Sequence, residues 1–490
     1  MAYTICFLTA IGTLLFFLVY GLMHVSSVES YFNCNNQLEG KEFGNSFAAA
    51  STSLATVLFF FVTLGLTNGL WILISPISFL IGTEFFNRCM LPRLKQQNYS
   101  ILNEGGTTLG NTLGDYIKTR YNSESVKKWI IFITLFGIIS IMLIELYVGV
   151  QIFKIFINEE YEEFALYFIA LVSFIYTGLG GLNAVVQTDK WQFFFMMTVA
   201  FLIIVFLLFY YGNPVSWEKV FPPLWGSEGV LLNNWALFLN IITVNALLVP
   251  SLLRNWQLIA ATKNELEIKK GFRNGVFMTA LISFLFICFG ILFFTIFKEA
   301  PLSMNGILTT MAESSSPFMS YVLFPLLFAA CLMALLSTFD SSLLPVVQCL
   351  ANDIFPKPKK RKKMYTIYML ATLFVTVFIY KIVFKKLEFD IISWLFTIFS
   401  VVTISSPAIL FACFGKESIL HTKTMHFFTK LSTLLGLVIA LTISVYGNNF
   451  LPKTKGSLSI IQLNAPIAII ISSLLLCIVY FIIRYYQSKK

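Results

Sequence analysis

Thirteen apolar runs, each long enough to cross a bilayer, follow one another along the 490-residue chain. They fall near residues 3–23, 46–66, 69–91, 127–153, 161–180, 186–211, 235–256, 273–297, 318–350, 364–384, 389–413, 425–446 and 461–483. A transmembrane helix needs about 20 mostly apolar residues. Hydrocarbon offers no water to backbone groups, so such a chain satisfies them internally, as helices. Only 12% of the residues are charged, about half of the roughly 25% usual in soluble domains. The 52 phenylalanines suit lipid-facing surfaces. These features exclude a water-soluble enzyme, a disordered chain and a nucleic-acid-binding domain. The expected fold class is an all-α polytopic membrane protein of about 13 transmembrane helices.

An odd number of spans puts the termini on opposite sides. With the C-terminus inside, cytoplasmic segments hold 26 of the 34 Lys and Arg residues and outside segments hold 8. The positive-inside rule then places the N-terminus outside and the C-terminus in the cytoplasm, across the plasma (cytoplasmic) membrane. The KPKKRKK run at 357–363 reads as a topology anchor near anionic lipid headgroups. Most of the +10 net charge is therefore topology and implies no nucleic-acid partner. Residues 3–23 lack a preceding basic residue and a following cleavage site, so they read as a retained span. The EEYEE cluster at 159–163 reads as a solvated loop and 92–126 as a short amphipathic connector. Eight scattered cysteines show no metal-ligand spacing and no disulfide framework.

Polar groups at membrane depth are costly and mark functional candidates. Three acids qualify: Glu145 in the fourth span, Asp189 at the start of the sixth and Asp340 in the ninth. Each has a plainer alternative, Asp189 as an acid at a helix N-terminus and Asp340 as a helix–helix contact. Ser337, Thr338, Ser341 and Ser342 stack on one helical face beside Asp340. Hydroxyls with one carboxylate suit a hard monovalent cation; Ser and Thr also serve as packing residues between membrane helices. GLGGL at 178–182, Pro250 and GLTNG at 65–69 interrupt their spans, and discontinuous helices build ion and solute sites in secondary transporters. Thr63, Glu145 and Asn245 are candidates to line a solute cavity. No catalytic constellation and no nucleotide motif occurs, so neither an enzyme nor an ATP-driven pump is expected.

The stretch IYTGLGGLNAVVQTDKWQ (175–192) resembles the sodium:solute symporter family, through Tyr176, Thr177, Gly180, Gly181, Leu182, Ala184, Thr188, Asp189 and Gln192. ALLSTFDSSLLPVVQCLANDIF (334–355) and TTLGNTLGDYIKTRYNS (107–123) resemble two further blocks of that family. The likeness spans roughly residues 40–420. It implies a five-plus-five inverted-repeat transporter core over 46–413, with repeats at about 46–211 and 235–413. Residues 1–45 would add one helix and an inner loop before the core, and 414–490 two helices after it.

The resemblance further implies Na+ as coupling ion, no other cofactor, and a small-molecule solute carried by alternating access. Its sodium site would use Ala334, Ser337 and Thr338, with the carbonyls of Ala55 and Leu58. Asp189, with Ser341 and Asp340, would serve a second cation or a gate. Phe59, Phe60 and Phe61 would occupy the break of the first core helix. In NWQLIAATKN (255–264) the family's usual arginine is missing. An H+-coupled transporter, with one of the three acids as proton carrier, and a sensor that has lost transport are the alternatives.

Overall fold

The computed structural model describes residues 2–488 apart from 25–26, 28–29, 98–111, 158, 213–219, 224–229, 298–303, 356–361, 385–390 and 451–459. Most of the basic run at 357–363 and the glycine-rich start of the 107–123 block therefore lie outside the described residues. Among the described residues the chain is helical, with a single isolated β-bridge between Leu38 and Thr262, and eleven helices are long and apolar enough to cross a membrane.

The two remaining runs that the sequence reads as spans differ from that simple form for physical reasons. The 46–66 run belongs to two short half-helices. Gly40–Ser51 stops at Thr52–Ser53, and a π-helical stretch, Ala55–Val62, then runs on into Thr63–Asn68. The 161–180 run is the first arm of helix Glu162–Tyr211. Fifty helical residues would measure about 75 Å at 1.5 Å per residue, far beyond a hydrocarbon core of about 30 Å. The helix folds back at Gly181, whose φ of 67° and ψ of −160° are not helical.

Both arms end on one side of the bundle. Glu162 pairs with Lys154 near the end of helix Glu124–Phe156. Phe156 stacks on Phe324 and Phe328 at the start of helix Phe324–Cys349. Tyr211 donates to Met319 just before that start. The acidic cluster at 159–163 thus carries ion pairs, since Glu163 also meets Lys381.

Tyr31 holds the hairpin turn. Its hydroxyl donates to the carbonyls of Thr177 and Gly178 at 3.1 and 3.0 Å, and its carbonyl accepts from Leu182 N at 2.9 Å. A Cβ on Gly181 would stand 2.7 Å from that same carbonyl oxygen. Glycine is required there by both φ and space.

The connector after the third span is clamped rather than a surface amphipath. Helix Leu113–Tyr121 presents Arg120, which donates to the carbonyls of Ala412 and Gly415 and pairs with Glu417. Tyr121 donates to the carbonyl of Ala408 at 3.0 Å. Lys127, buried, lies 2.9 Å from both Asp115 and Asp353, and Thr112 donates to Asp353 at 2.7 Å. Two motif blocks far apart in sequence thereby close one polar network across the ends of several helices.

Between membrane helices the driving force is close packing, because lipid tails are as apolar as Leu. Half-helix Gly40–Ser51 packs on helix Glu265–Ile296 in that way: Phe43 and Phe47 fill the hollows left by Gly271 and Gly275. A Cβ at Gly275 would meet the Phe47 ring at 2.5 Å and the carbonyl oxygen of Gly44 at 3.0 Å. Gly275→Val should therefore force the two helices apart and cost about 1–3 kcal/mol, read as a lower melting temperature in detergent. An unchanged melting temperature would contradict this interface.

Candidate functional site

The half-helix break at Thr52–Ser53 is the centre of the site. A helix end in a membrane leaves carbonyls or amides without partners, and these need protein groups. Thr52 serves the upstream end itself, its N–H donating to Ala49 O at 3.0 Å and its hydroxyl to Ala48 O at 2.7 Å. Ser53 caps the downstream end, accepting from Thr56 N at 3.0 Å, as N-cap serines do. Two buried charges complete the job. Glu145 accepts from Leu54 N at 3.1 Å, placing a negative charge at the amino end of the second half-helix. Arg254 donates to Ala50 O and, at 3.3 Å, to Ser51 Oγ, placing a positive charge at the carboxyl end of the first. Both signs match the helix dipoles they face.

The arginine reaches this position through a second break. Helix Val230–Ser251 contains Pro250, Leu252 is extended, and helix Leu253–Ala261 begins anew. The freed carbonyls of Val249 and Pro250 accept from the side chains of Asn255 and Trp256, each at 2.8 Å. Arg254, one of the 26 basic residues that the sequence assigns to cytoplasmic segments, is instead buried at 8% exposure.

Asp189 joins two elements from opposite ends of the sequence. It is fully buried and accepts from Ser46 Oγ at 2.5 Å and from Ser337 Oγ at 2.7 Å. It also interacts electrostatically with Arg254. One helical residue on, Thr338 is buried, its hydroxyl has no hydrogen-bond partner among the described residues, and it lines a cavity. Ala334 lies one turn earlier on the same helix, buried.

That cavity has a volume of about 110 Å³ and runs beside the break. Ser53, Thr56, Glu145, Asn245, Arg254 and Thr338 line its polar part, and Phe60, Phe61, Phe79, Phe396 and Phe399 its aromatic part. Asn245 donates to Ser75 Oγ at 3.0 Å on the wall.

Several expected positions fall elsewhere. The break of the first core helix is at Thr52–Ser53, not at Phe59–Phe61, because the hydroxyls and charges that satisfy freed backbone groups cluster there and Phe side chains supply none. Ala55 and Leu58 lie within the π-helical stretch Ala55–Val62, downstream of the freed carbonyls. Thr63 is half-buried and is not a lining residue of the cavity. Asp340 accepts from its neighbour Ser341 N at 2.8 Å, and its other oxygen has no hydrogen-bond partner among the described residues. Ser341 and Ser342 turn their hydroxyls onto the carbonyl of Thr338, the local back-bonding typical of helical serines. Sequence reasoning missed Ser46 and Arg254. The signal for Arg254 was its place near the end of the apolar run 235–256, just after Pro250.

Comparison with known proteins agrees with this architecture. The family model described as the sodium:solute symporter family matches residues 31–421. No curated protein is a sequence match. Among solved structures, the chain is similar to a Na+-coupled sialic acid symporter in its substrate-bound outward-open state, at 16% identity and a TM-score of 0.73. That alignment covers 98% of this chain and 96% of the other. It is also similar to Mhp1, a nucleobase-cation-symport-1 family transporter in a closed conformation with bromovinylhydantoin bound. There the identity is 9% and the TM-score 0.53, over 93% of this chain and 94% of that one. A manganese transporter of Eremococcus coleocola aligns at 13% identity with a TM-score of 0.50, over 92% and 90% of the two chains. At such identities the structural matches speak for the fold alone, and the family match over most of the chain carries the assignment. The chain belongs to the sodium:solute symporter family, as a multi-pass membrane protein whose activity is Na+-coupled symport.

Proposed function

We propose that this symporter carries a small, uncharged and partly apolar organic solute in the cavity beside the first helix break. The supporting observation is the cavity's composition. Its aromatic rings offer apolar and π contacts, and Asn245, Ser53 and Thr56 offer hydrogen bonds. The two charged lining residues, Glu145 and Arg254, are already engaged with the half-helix ends, so neither is left to pair with a charged solute. The ten-helix core would span about 46–413 as two inverted repeats, with one helix before it and two after.

The coupling sodium would bind between the break and helix Phe324–Cys349, on the hydroxyls of Ser337 and Thr338 and the carbonyl of Ala334. Carbonyls of the 49–52 segment would replace those of Ala55 and Leu58 as the contribution of the first core helix. A hydroxyl that gives its hydrogen to Asp189, as Ser337 does, still presents lone pairs to a cation. Asp189 ties the first half-helix to Ser337. An ion held there would favour one arrangement of these elements over the other, as coupling requires.

The direct test is uptake by proteoliposomes across a panel of small solutes under an imposed Na+ gradient. Neutral, partly apolar solutes should accumulate, and accumulation of charged solutes only would overturn the substrate class. With such a solute in hand, Ser337→Ala combined with Thr338→Ala should raise the Na+ concentration for half-maximal uptake by about tenfold or more, a loss of roughly 1.4 kcal/mol. An unchanged Na+ dependence would remove both residues from the site. For orientation, single cysteines near the two termini should label with an impermeant reagent on intact cells at the N-terminus only. Labelling at the C-terminus instead would reverse the topology.

A further inference from the structure

Arg254 is a full positive charge buried at the helix break, and the sodium:solute assignment gives it no role. Its position has three features of a cation site. Its hydrogen bonds go to neutral oxygens, the carbonyl of Ala50 and the hydroxyl of Ser51. These oxygens close the carboxyl end of a half-helix, where the dipole favours positive charge. Two buried carboxylates stand at the same break: Glu145 accepts from Leu54 N, and Asp189 accepts from Ser46 Oγ, one turn before Ala50. Its remaining nitrogen, Nε, is buried with no hydrogen-bond partner among the described residues, so the guanidinium is held by its charge environment more than by a complete set of acceptors. Buried charges in a membrane occur in balanced groups. With both carboxylates ionised, Asp189 and Glu145 carry two negative charges, and Arg254 offsets one of them.

We propose that the guanidinium of Arg254 is a resident cation of the helix break, standing where a second sodium ion would otherwise be taken up. The chain then needs one external sodium to neutralise the group, and that ion belongs beside Ser337 and Thr338. Arg254 is tethered to helix Leu253–Ala261, across the second break, so its charge stays in the site through the cycle while the sodium leaves. This inference rests on the sodium-site reading above and adds the number of ions to it. Asp340 stands apart from the balance, because among the described residues its hydrogen bond is a local one, to Ser341 N, and it forms no ion pair.

The test counts sodium with the ion alone as probe, by equilibrium dialysis of the purified full-length protein against radioactive Na+ at saturation. Arg254→Gln should bind one more sodium per chain than the wild type, and Arg254→Lys should match the wild type. Arg254→Gln combined with Glu145→Gln removes one charge of each sign and should return the count to the wild-type value. If Arg254→Gln does not fold, Glu145→Gln alone still decides, since it should bind one sodium fewer than the wild type. Equal counts in the wild type, Arg254→Gln and Glu145→Gln would overturn the proposal. A wild type that binds none, with one ion gained by Arg254→Gln, would uphold the resident cation while removing the sodium-coupling reading.

Discussion

A helix that stops in the middle of a membrane exposes backbone carbonyls on one side of the gap and amides on the other, with no water to take them. The break at Thr52–Ser53 meets this constraint with a charge on each end, Arg254 on the carboxyl side and Glu145 on the amino side. Much of the remaining structure follows from supplying those two side chains. Arg254 comes from a second break, at Pro250 and Leu252, whose own freed carbonyls are taken by Asn255 and Trp256. Glu145 comes from helix Glu124–Phe156, which is anchored at its start by Lys127 between Asp115 and Asp353.

The same break brings distant parts of the chain to one place. Asp189 reaches it because Gly181 folds helix Glu162–Tyr211 back on itself, and Tyr31 holds that turn. Once there, it accepts from Ser46 on one side and Ser337 on the other. A change in the separation of these helices would alter its hydrogen bonds and the oxygens available to an ion together. With sodium in the proposed site, ion binding and helix movement would be coupled through this one carboxylate. The close packing of Phe43 and Phe47 against Gly271 and Gly275 seats the first half-helix tightly on helix Glu265–Ile296, because neither hollow tolerates a larger side chain.

Legibility from sequence varied with the range of the interaction. Span positions were readable because apolarity over about 20 residues is a local property, and the hairpin at GLGGL was readable because glycine is required where φ is positive. The 46–66 span, which is not one long helix, was still an apolar run, so its existence was legible while its interruption at Thr52–Ser53 was not. Nothing in SFAAASTSLATVLFFF marks the stop, since Ser and Thr are tolerated within membrane helices. The stop is stable because Arg254 and Glu145 arrive from 203 and 91 residues away. For Asp340 the sequence leaned to a functional site over a helix contact, and among the described residues the structure gives it a local hydrogen bond only.

The sequence by itself determined that this chain is a multi-span helical membrane protein, that its scarce acids at depth matter, and that its motif blocks resemble a sodium:solute symporter. Those are properties of composition, local pattern and spacing. Only the tertiary structure decided where the first helix breaks, that Asp189 faces Ser46 and Ser337, and that Arg254 lies inside the bundle instead of in a loop. Each of these depends on which helices meet at depth, and a charge becomes a partner there only when folding brings the opposite charge or the open helix end within reach.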